Sequence, residues 1–257
     1  MRTRFRRRYP TAAMATLMNT DRLLVWDFDG TLAFRPGNWT GVVCDVVAAE
    51  RPDVGMTPAR LRPHLQSGFP WHTPDVVRAP CSADEWWSKL FAVLATAVNG
   101  ATGLDMGEAR RVVEGVRAAY TDAGGWQLFE DALPVLTTLH DRGWSHVVLS
   151  NHMPELPGLV GALGLGNLIM AVYSSGCTGV EKPHSKAFET VFAQHPGARH
   201  GWMIGDSWRA DVQGALAVGM RAILVRSEHP EATLHCQTLR EVVGVVDGES
   251  MFPKVSA

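Results

Sequence analysis

The chain is predicted to be an α/β protein, a parallel sheet with helices on both faces and an inserted α-helical domain. Three observations lead there. Through its second half, short apolar runs alternate with segments of helical spacing, the pattern of strand–helix–strand units. One matching apolar run stands near the amino terminus, roughly 115 residues ahead of the next, far beyond an ordinary crossover. The residues between carry helical spacing and no strand-like alternation.

The first strand is expected over Arg22–Asp27. It ends in Asp27-Phe28-Asp29-Gly30-Thr31, two carboxylates two residues apart at the carboxyl end of a strand, where open α/β sheets bind ligands. Like charges that close repel, so the pair calls for a cation or a shared proton. A hard divalent ion such as Mg²⁺, which prefers carboxylate oxygen, meets that need. Taken alone, the same residues also suit a strand followed by an Asp-Gly turn.

The insert, residues 35–125, carries helical spacing over Thr40–Glu50, Pro58–Gln66, Ser82–Val98 and Met106–Tyr120. Thr57-Pro58 and Ser82 are start signals, and Ser82-Ala-Asp-Glu85 fits a capping box. Trp86 and Trp87 read as helix-packing core. The loop around Trp71 and His72 is too rich in Pro and Gly to be regular, and is a candidate substrate contact.

The remaining strands are expected over Ser145–Ser150, Leu168–Tyr173, Trp202–Ile204 and Arg221–Val225. Helices are expected over Asp131–Asp141, Leu156–Leu163, Ser185–Gln194 and Arg209–Val218, with a short one near Thr238–Val243. Three of these segments bring polar groups to strand ends or to the loops after them. Ser150-Asn151 follows the second strand, Lys182-Pro183 precedes a helix, and Gly205-Asp206 is followed by Asp211 near a helix start. Singly, each is also what a turn or a helix cap needs.

Together the four segments, Asp-x-Asp-Gly-Thr, Ser, Lys-Pro and Gly-Asp-x₄-Asp, resemble in type and order the four motifs of the haloacid dehalogenase superfamily. The resemblance covers roughly residues 23–34 and 126–225. It implies a Rossmann-like core made of residues 22–34 and 126–250. It also implies that the helical insert between the first and second motifs is a cap over the active site. Residues 1–21 and 251–257 are left as tails.

The resemblance further implies phosphoryl transfer. Asp27 would be the nucleophile, a role open to carboxylates. Asp29 would be the general acid and base. Mg²⁺ would be held by Asp27, the backbone carbonyl of Asp29 and Asp206, with Asp211 binding through water or orienting a ligand. Lys182 would place a fixed charge on the phosphoryl oxygens and screen Asp27 from Asp29, and Ser150 would donate to the same oxygens. Thr31 would orient the phosphoryl group or Asp29, and Asn151 would contact substrate or shape its loop. Dehalogenating members lack an acid at the position of Asp29, so its presence implies a phosphate ester. His184-Ser185 stands where many members have Asp-Pro, which removes a common anchor of the lysine loop.

The expected activity is a Mg²⁺-dependent phosphatase acting on a small-molecule phosphate ester. Two alternatives are a phosphomutase, needing a second phosphate site for which Arg51, Arg60, Arg62 and Arg78 are available, and a non-catalytic phosphate-binding protein. Gly37, Gly124 and Gly125 flank the insert as expected hinges.

The bulk numbers agree with a globular chain of 257 residues, 46% hydrophobic and 19% charged. The net charge of −2 gives no reason to expect a nucleic-acid partner. No apolar stretch has membrane-spanning length, so no membrane partner is expected. Cys44, Cys81, Cys177 and Cys236 show no metal or redox spacing and suit reduced thiols in a cytoplasmic monomer or homodimer. Five arginines among the first eight residues are expected in a basic tail, with Met14 or Met18 as an alternative start.

Overall fold

The computed structural model describes residues 22–248. The basic amino-terminal segment, with Met14 and Met18, and residues 249–257 lie outside it.

Strand β1 (Leu23–Trp26) runs into a loop closed by the two-residue strand β2 (Ala33–Phe34). Helices α1 (Asn38–Glu50), α2 (Pro58–Leu61), α3 (Ala83–Thr102), α4 (Met106–Val113) and α5 (Gly115–Thr121) follow. Strand β3 (Gln127–Leu128) then pairs antiparallel with β2, so the two chain crossings at the base of the insert are tied together. The rest alternates: α6 (Ala132–Asp141), β4 (Ser145–Ser150), α7 (Leu156–Ala162), β5 (Ile169–Ser174), the single turn α8 (Ser175–Thr178) and α9 (Ser185–Gln194). Strand β6 (Trp202–Gly205), α10 (Gly214–Ala217), β7 (Arg221–Val225), β8 (His235–Cys236) and α11 (Leu239–Asp247) complete it. Six strands form one parallel sheet in the order β5-β4-β1-β6-β7-β8.

Strand β1 lies inside this sheet and is buried on both faces, which is why it reads as an unbroken apolar run. Its residues alternate between two cores. Leu23 and Val25 pack with Phe188, Val191, Met203 and Val212, whereas Leu24 and Trp26 join the larger core that continues into the insert. Each such fully buried side chain contributes about 1.5–3 kcal/mol relative to exposure.

Several boundaries differ from the sequence expectation, each for a local reason. The segment expected helical over 58–66 leaves the α-helix after Leu61, because Pro63 has no N–H to continue the ladder; a tighter turn spans Arg62–His64. The helix expected over 106–120 divides at Glu114, where Gly115 lies against Val46 of α1. The helix expected over 209–218 opens as a wide π-type turn, Trp208–Gln213, which brings Asp211 inward. Strands β2, β3 and β8 have two residues each, too few for a period to register. The Ser82 capping box forms as expected: Ser82 Oγ accepts from the Glu85 N–H at 3.2 Å, and the Glu85 carboxylate accepts from the Ser82 N–H at 2.9 Å. Among the described residues no helix is long and apolar enough to cross a membrane.

Candidate active site

A cavity of about 370 Å³ opens where the carboxyl ends of β1, β4 and β6 face the insert. The carboxylates of Asp27, Asp206 and Asp211 converge there, with oxygens within 4.8 Å of one another. Asp27 continues β1, its N–H bonded to the Ile204 carbonyl at 2.8 Å. The turn after it needs glycine: Gly30 has φ 86°, and a Cβ there would collide with the Asp206 carboxylate. Gly205, likewise, leaves room for the Asp211 side chain.

Lys182 supplies the counter-charge. Its ammonium donates to Asp27 Oδ1 at 2.7 Å and Asp211 Oδ1 at 2.5 Å. Burial alone would pull this ammonium down, but Asp211 and Asp27 outweigh it and hold the group above its usual value. The ammonium thus bridges Asp27 to Asp211, a contact the sequence reading did not include. Asp211 is almost fully buried and also accepts from the Ser207 N–H at 3.0 Å. Burial and the neighbouring Asp27 push its pKa up, against the pull of Lys182. Asp206 is raised by burial and then by Asp27 and Asp211.

Asp29 stands apart from this cluster. Its carboxylate accepts from Asn38 Nδ2 at 3.3 Å, and burial followed by repulsion from Asp27 pushes it up to about 7. Asn38, at the start of α1, takes φ 47°, and its Oδ1 accepts from Tyr120 Oη at 3.3 Å and from the Trp39 N–H at 2.7 Å. The insert thus grips the acid directly.

Ser150, last in β4, is buried in the cavity wall. Asn151 also borders the cavity, but its amide is committed elsewhere. Nδ2 donates to the Lys182 carbonyl at 2.8 Å and Oδ1 accepts from the Lys182 N–H at 2.7 Å. Its place among substrate contacts is corrected to that of a clamp on the lysine loop, which supplies the anchor that His184-Ser185 does not. His184 instead caps α9, accepting from the Lys186 N–H at 3.2 Å.

Thr31 is fully buried and donates to Asp206 Oδ1 at 3.3 Å, so it positions Asp206 rather than a phosphoryl group or Asp29. Trp71 borders the cavity. His72 does not; it is exposed, its ring set edge-on against Phe69, because the short turn Pro70–His72 aims successive side chains apart. Trp86 and Trp87 are buried packing residues, and Trp87 Nε1 donates to the Glu155 carboxylate.

The structure adds lining residues that motif reasoning passed over: Asn38, Trp39 and Tyr120 from the insert, and His152 and Arg209 from the core. His152 is buried against Phe28, Tyr120 and Trp126, with neither ring nitrogen bonded to protein; burial pushes it down to about 4. Its position two residues beyond the strand-end serine was the available signal.

The cluster suits a hard cation. Three carboxylates converge on one point with a single ammonium between two of them, and their donors are all oxygen.

Comparison with known proteins agrees with this arrangement. A family model described as haloacid dehalogenase-like hydrolase matches residues 22–219. The phosphoserine phosphatase of Thermus thermophilus is 33% identical over 145 residues, 53% of this chain and 58% of that protein. The haloacid dehalogenase-like hydrolase domain-containing protein 3 of Bos taurus is 27% identical over 150 residues, 58% of this chain and 59% of that one. These matches thus span less than two thirds of either relative. Among solved structures, the HAD-hydrolase YfnB of Bacillus subtilis, described bound to magnesium, superposes with a TM-score of 0.64 at 18% identity, covering 88% of this chain and 98% of that one. A 2-haloacid dehalogenase from Pseudomonas syringae gives 0.61 at 20% identity, over 89% and 99%. These two likenesses concern the fold. The family match, extending over most of the chain and over all four strand-end segments, shows that this protein belongs to the haloacid dehalogenase-like hydrolases.

Proposed function

We propose that the protein is a Mg²⁺-dependent phosphatase that hydrolyses a small phosphate monoester through an aspartyl-phosphate on Asp27. The observation that carries this reading is Asp29: a carboxyl lining the cavity, held by Asn38 of the insert and pushed up to about 7 by burial and by the charge of Asp27. An acid at this position is what the family resemblance associates with phosphate esters rather than carbon–halogen bonds.

In the first step an Asp27 oxygen attacks phosphorus, the bond from phosphorus to the ester oxygen breaks, and Asp29 gives its proton to the departing alcohol. In the second, Asp29 takes a proton from water, the water oxygen attacks phosphorus, and Asp27 is released as carboxylate with inorganic phosphate. A value of about 7 lets both forms of Asp29 be populated near neutral pH. Lys182 holds Asp27 in place and offsets the repulsion between its carboxylate and the phosphoryl oxygens, to which Ser150 donates. Asp27, the Asp29 backbone carbonyl and Asp206 would hold Mg²⁺, with Asp211 beside them; the ion supplies positive charge to the phosphoryl oxygens. The proposed location is the cytoplasm, which suits four unpaired thiols.

The phosphomutase alternative loses its support. Among Arg51, Arg60, Arg62 and Arg78, none lines the cavity. Arg51 is paired with Asp53 and Glu108, Arg60 with backbone carbonyls, and Arg78 with Thr73 and the Val76 carbonyl.

The test is release of p-nitrophenol from p-nitrophenyl phosphate. Turnover is expected with Mg²⁺, none in excess EDTA, and inhibition by Ca²⁺, whose looser coordination misplaces the nucleophile. Asp27→Asn is expected to lower the rate at least about a thousandfold. Full activity in chelator, or a tenth of the rate in Asp27→Asn, contradicts the reading.

A further inference from the structure

Resting on the phosphatase reading, we propose that the substrate is a phosphate monoester whose alcohol portion is an aromatic or similarly flat apolar group.

The chemistry of the cavity is divided between its two walls. The core wall holds all the charge: the four aspartates, Lys182 and, at the rim, Arg209. The insert wall opposite is made of Trp39, Trp71, Tyr120, Pro74 and Asn38, with no charged side chain. Asn38 is already engaged by Asp29, Tyr120 and the Trp39 N–H. A leaving group facing that wall finds indole rings and few free hydrogen-bonding atoms. A hydroxylated or carboxylated leaving group would find few replacement partners at that wall for its lost water, which is costly.

The aromatic surface is also rigid. Trp39 stacks on the fully buried Tyr120, with centroids 3.7 Å apart at 14°, and Trp71 stacks on the buried Phe69 at 4.7 Å and 19°. Trp39 and Trp71 meet each other at 6.0 Å. Both remain half-buried at the cavity, so each has one face fixed by a partner and part of its ring left to a ligand. A preformed apolar surface costs little to order on binding and rewards flat rings most, through area and ring–ring geometry together. The cavity of about 370 Å³ has room for a phosphoryl group and one ring system.

The test separates ring recognition from leaving-group chemistry. 2-Phenylethyl phosphate and n-butyl phosphate both leave as primary alkoxides, so the ring is the main difference. With the full chain and Mg²⁺, kcat/KM is expected to be at least about tenfold higher for the phenyl ester. Trp71→Ala is expected to bring that ratio below about threefold, and Trp71→Phe to restore much of it, with thermal melting confirming that both fold. Trp86→Phe, outside this cavity, is expected to leave the ratio as it was. A ratio near one in the wild-type protein overturns the proposal. So does a preference for phosphoglycolate that disappears in Arg209→Ala, because the rim cation would then be choosing the substrate. A second readout needs no turnover. 3-Phenylpropylphosphonate is expected to bind at least about tenfold tighter than n-pentylphosphonate by calorimetry. Ring-selective binding without hydrolysis of any ester would refute the phosphatase reading and leave the ring preference standing; equal binding of the two phosphonates refutes the preference itself.

Discussion

Replacing Lys182 by methionine tests the electrostatics of the site directly. The ammonium lies 2.7 Å from Asp27 Oδ1 and 2.5 Å from Asp211 Oδ1, and its side chain is 2% exposed. At an effective dielectric constant near 20, opposite charges about 4 Å apart attract by about 4 kcal/mol. Two such attractions vanish in the variant, partly offset because no ammonium has to be buried. Breaking a buried pair by removing one partner costs about 3–5 kcal/mol, the amount by which the metal-free variant is expected to be less stable. Methionine nearly fills the lysine volume, so packing is kept. On the reaction, a lost preorganised donor alone costs about 10²–10³ in kcat. The variant also loses the positive charge beside the proposed nucleophile, so the expected fall is at least about a thousandfold. The assay combines steady-state turnover of p-nitrophenyl phosphate in saturating Mg²⁺, denaturant unfolding in EDTA, and calorimetric titration with Mg²⁺. Affinity for the ion is expected to rise, because three converging carboxylates would no longer share an internal cation. A folded variant that keeps a tenth of wild-type kcat, or binds Mg²⁺ more weakly, refutes this account of Lys182.

Three further outcomes follow from contacts around the site. Asn151→Ala removes both bonds to the Lys182 backbone, so kcat is expected to fall about tenfold to a hundredfold with KM little changed; a change confined to KM would return Asn151 to substrate contact. Thr31→Val removes the donor to Asp206 and is expected to raise the Mg²⁺ concentration for half-maximal rate several-fold; an unchanged Mg²⁺ requirement refutes that link. The buried His146 accepts from Trp26 Nε1 at 3.0 Å, and burial, against the bond to the Leu136 carbonyl, pushes it from 6.5 down to about 4. The unfolded chain therefore takes up a proton near pH 6.5 while the folded protein does not. The stabilisation is complete above 6.5 and is lost as pH falls to about 4, by about 3 kcal/mol. Relative to His146→Gln, the wild-type protein should lose that much between pH 7 and pH 4 in urea unfolding; parallel pH curves for the two would show that His146 is not the group responsible.

Sequence alone determined the α/β class, the strand ends and the polar residue types that those ends bring to the cavity. Those features are local: an apolar run of four to six residues, then a carboxylate, serine or glycine at a turn. Ser145–Ser150, Arg221–Val225 and Ser185–Gln194 are legible to the residue, because burial on both faces, or on one helical face, imposes a period that few other folds permit. Tertiary structure decided which charged groups touch. Lys182 and Asp211 are separated by a helix and a strand, and only the sheet order β4-β1-β6 and the π-type turn at Trp208–Gln213 bring the ammonium to Asp211. The same holds for Asn151 reaching the Lys182 backbone and Thr31 reaching Asp206. The insert wall was least legible. Trp39 and Tyr120 lie on separate helices whose own spacing shows only that each helix has an apolar side. Whether such a ring ends in the core or at the cavity depends on how α1 and α5 pack over the sheet, a long-range outcome that no local pattern encodes.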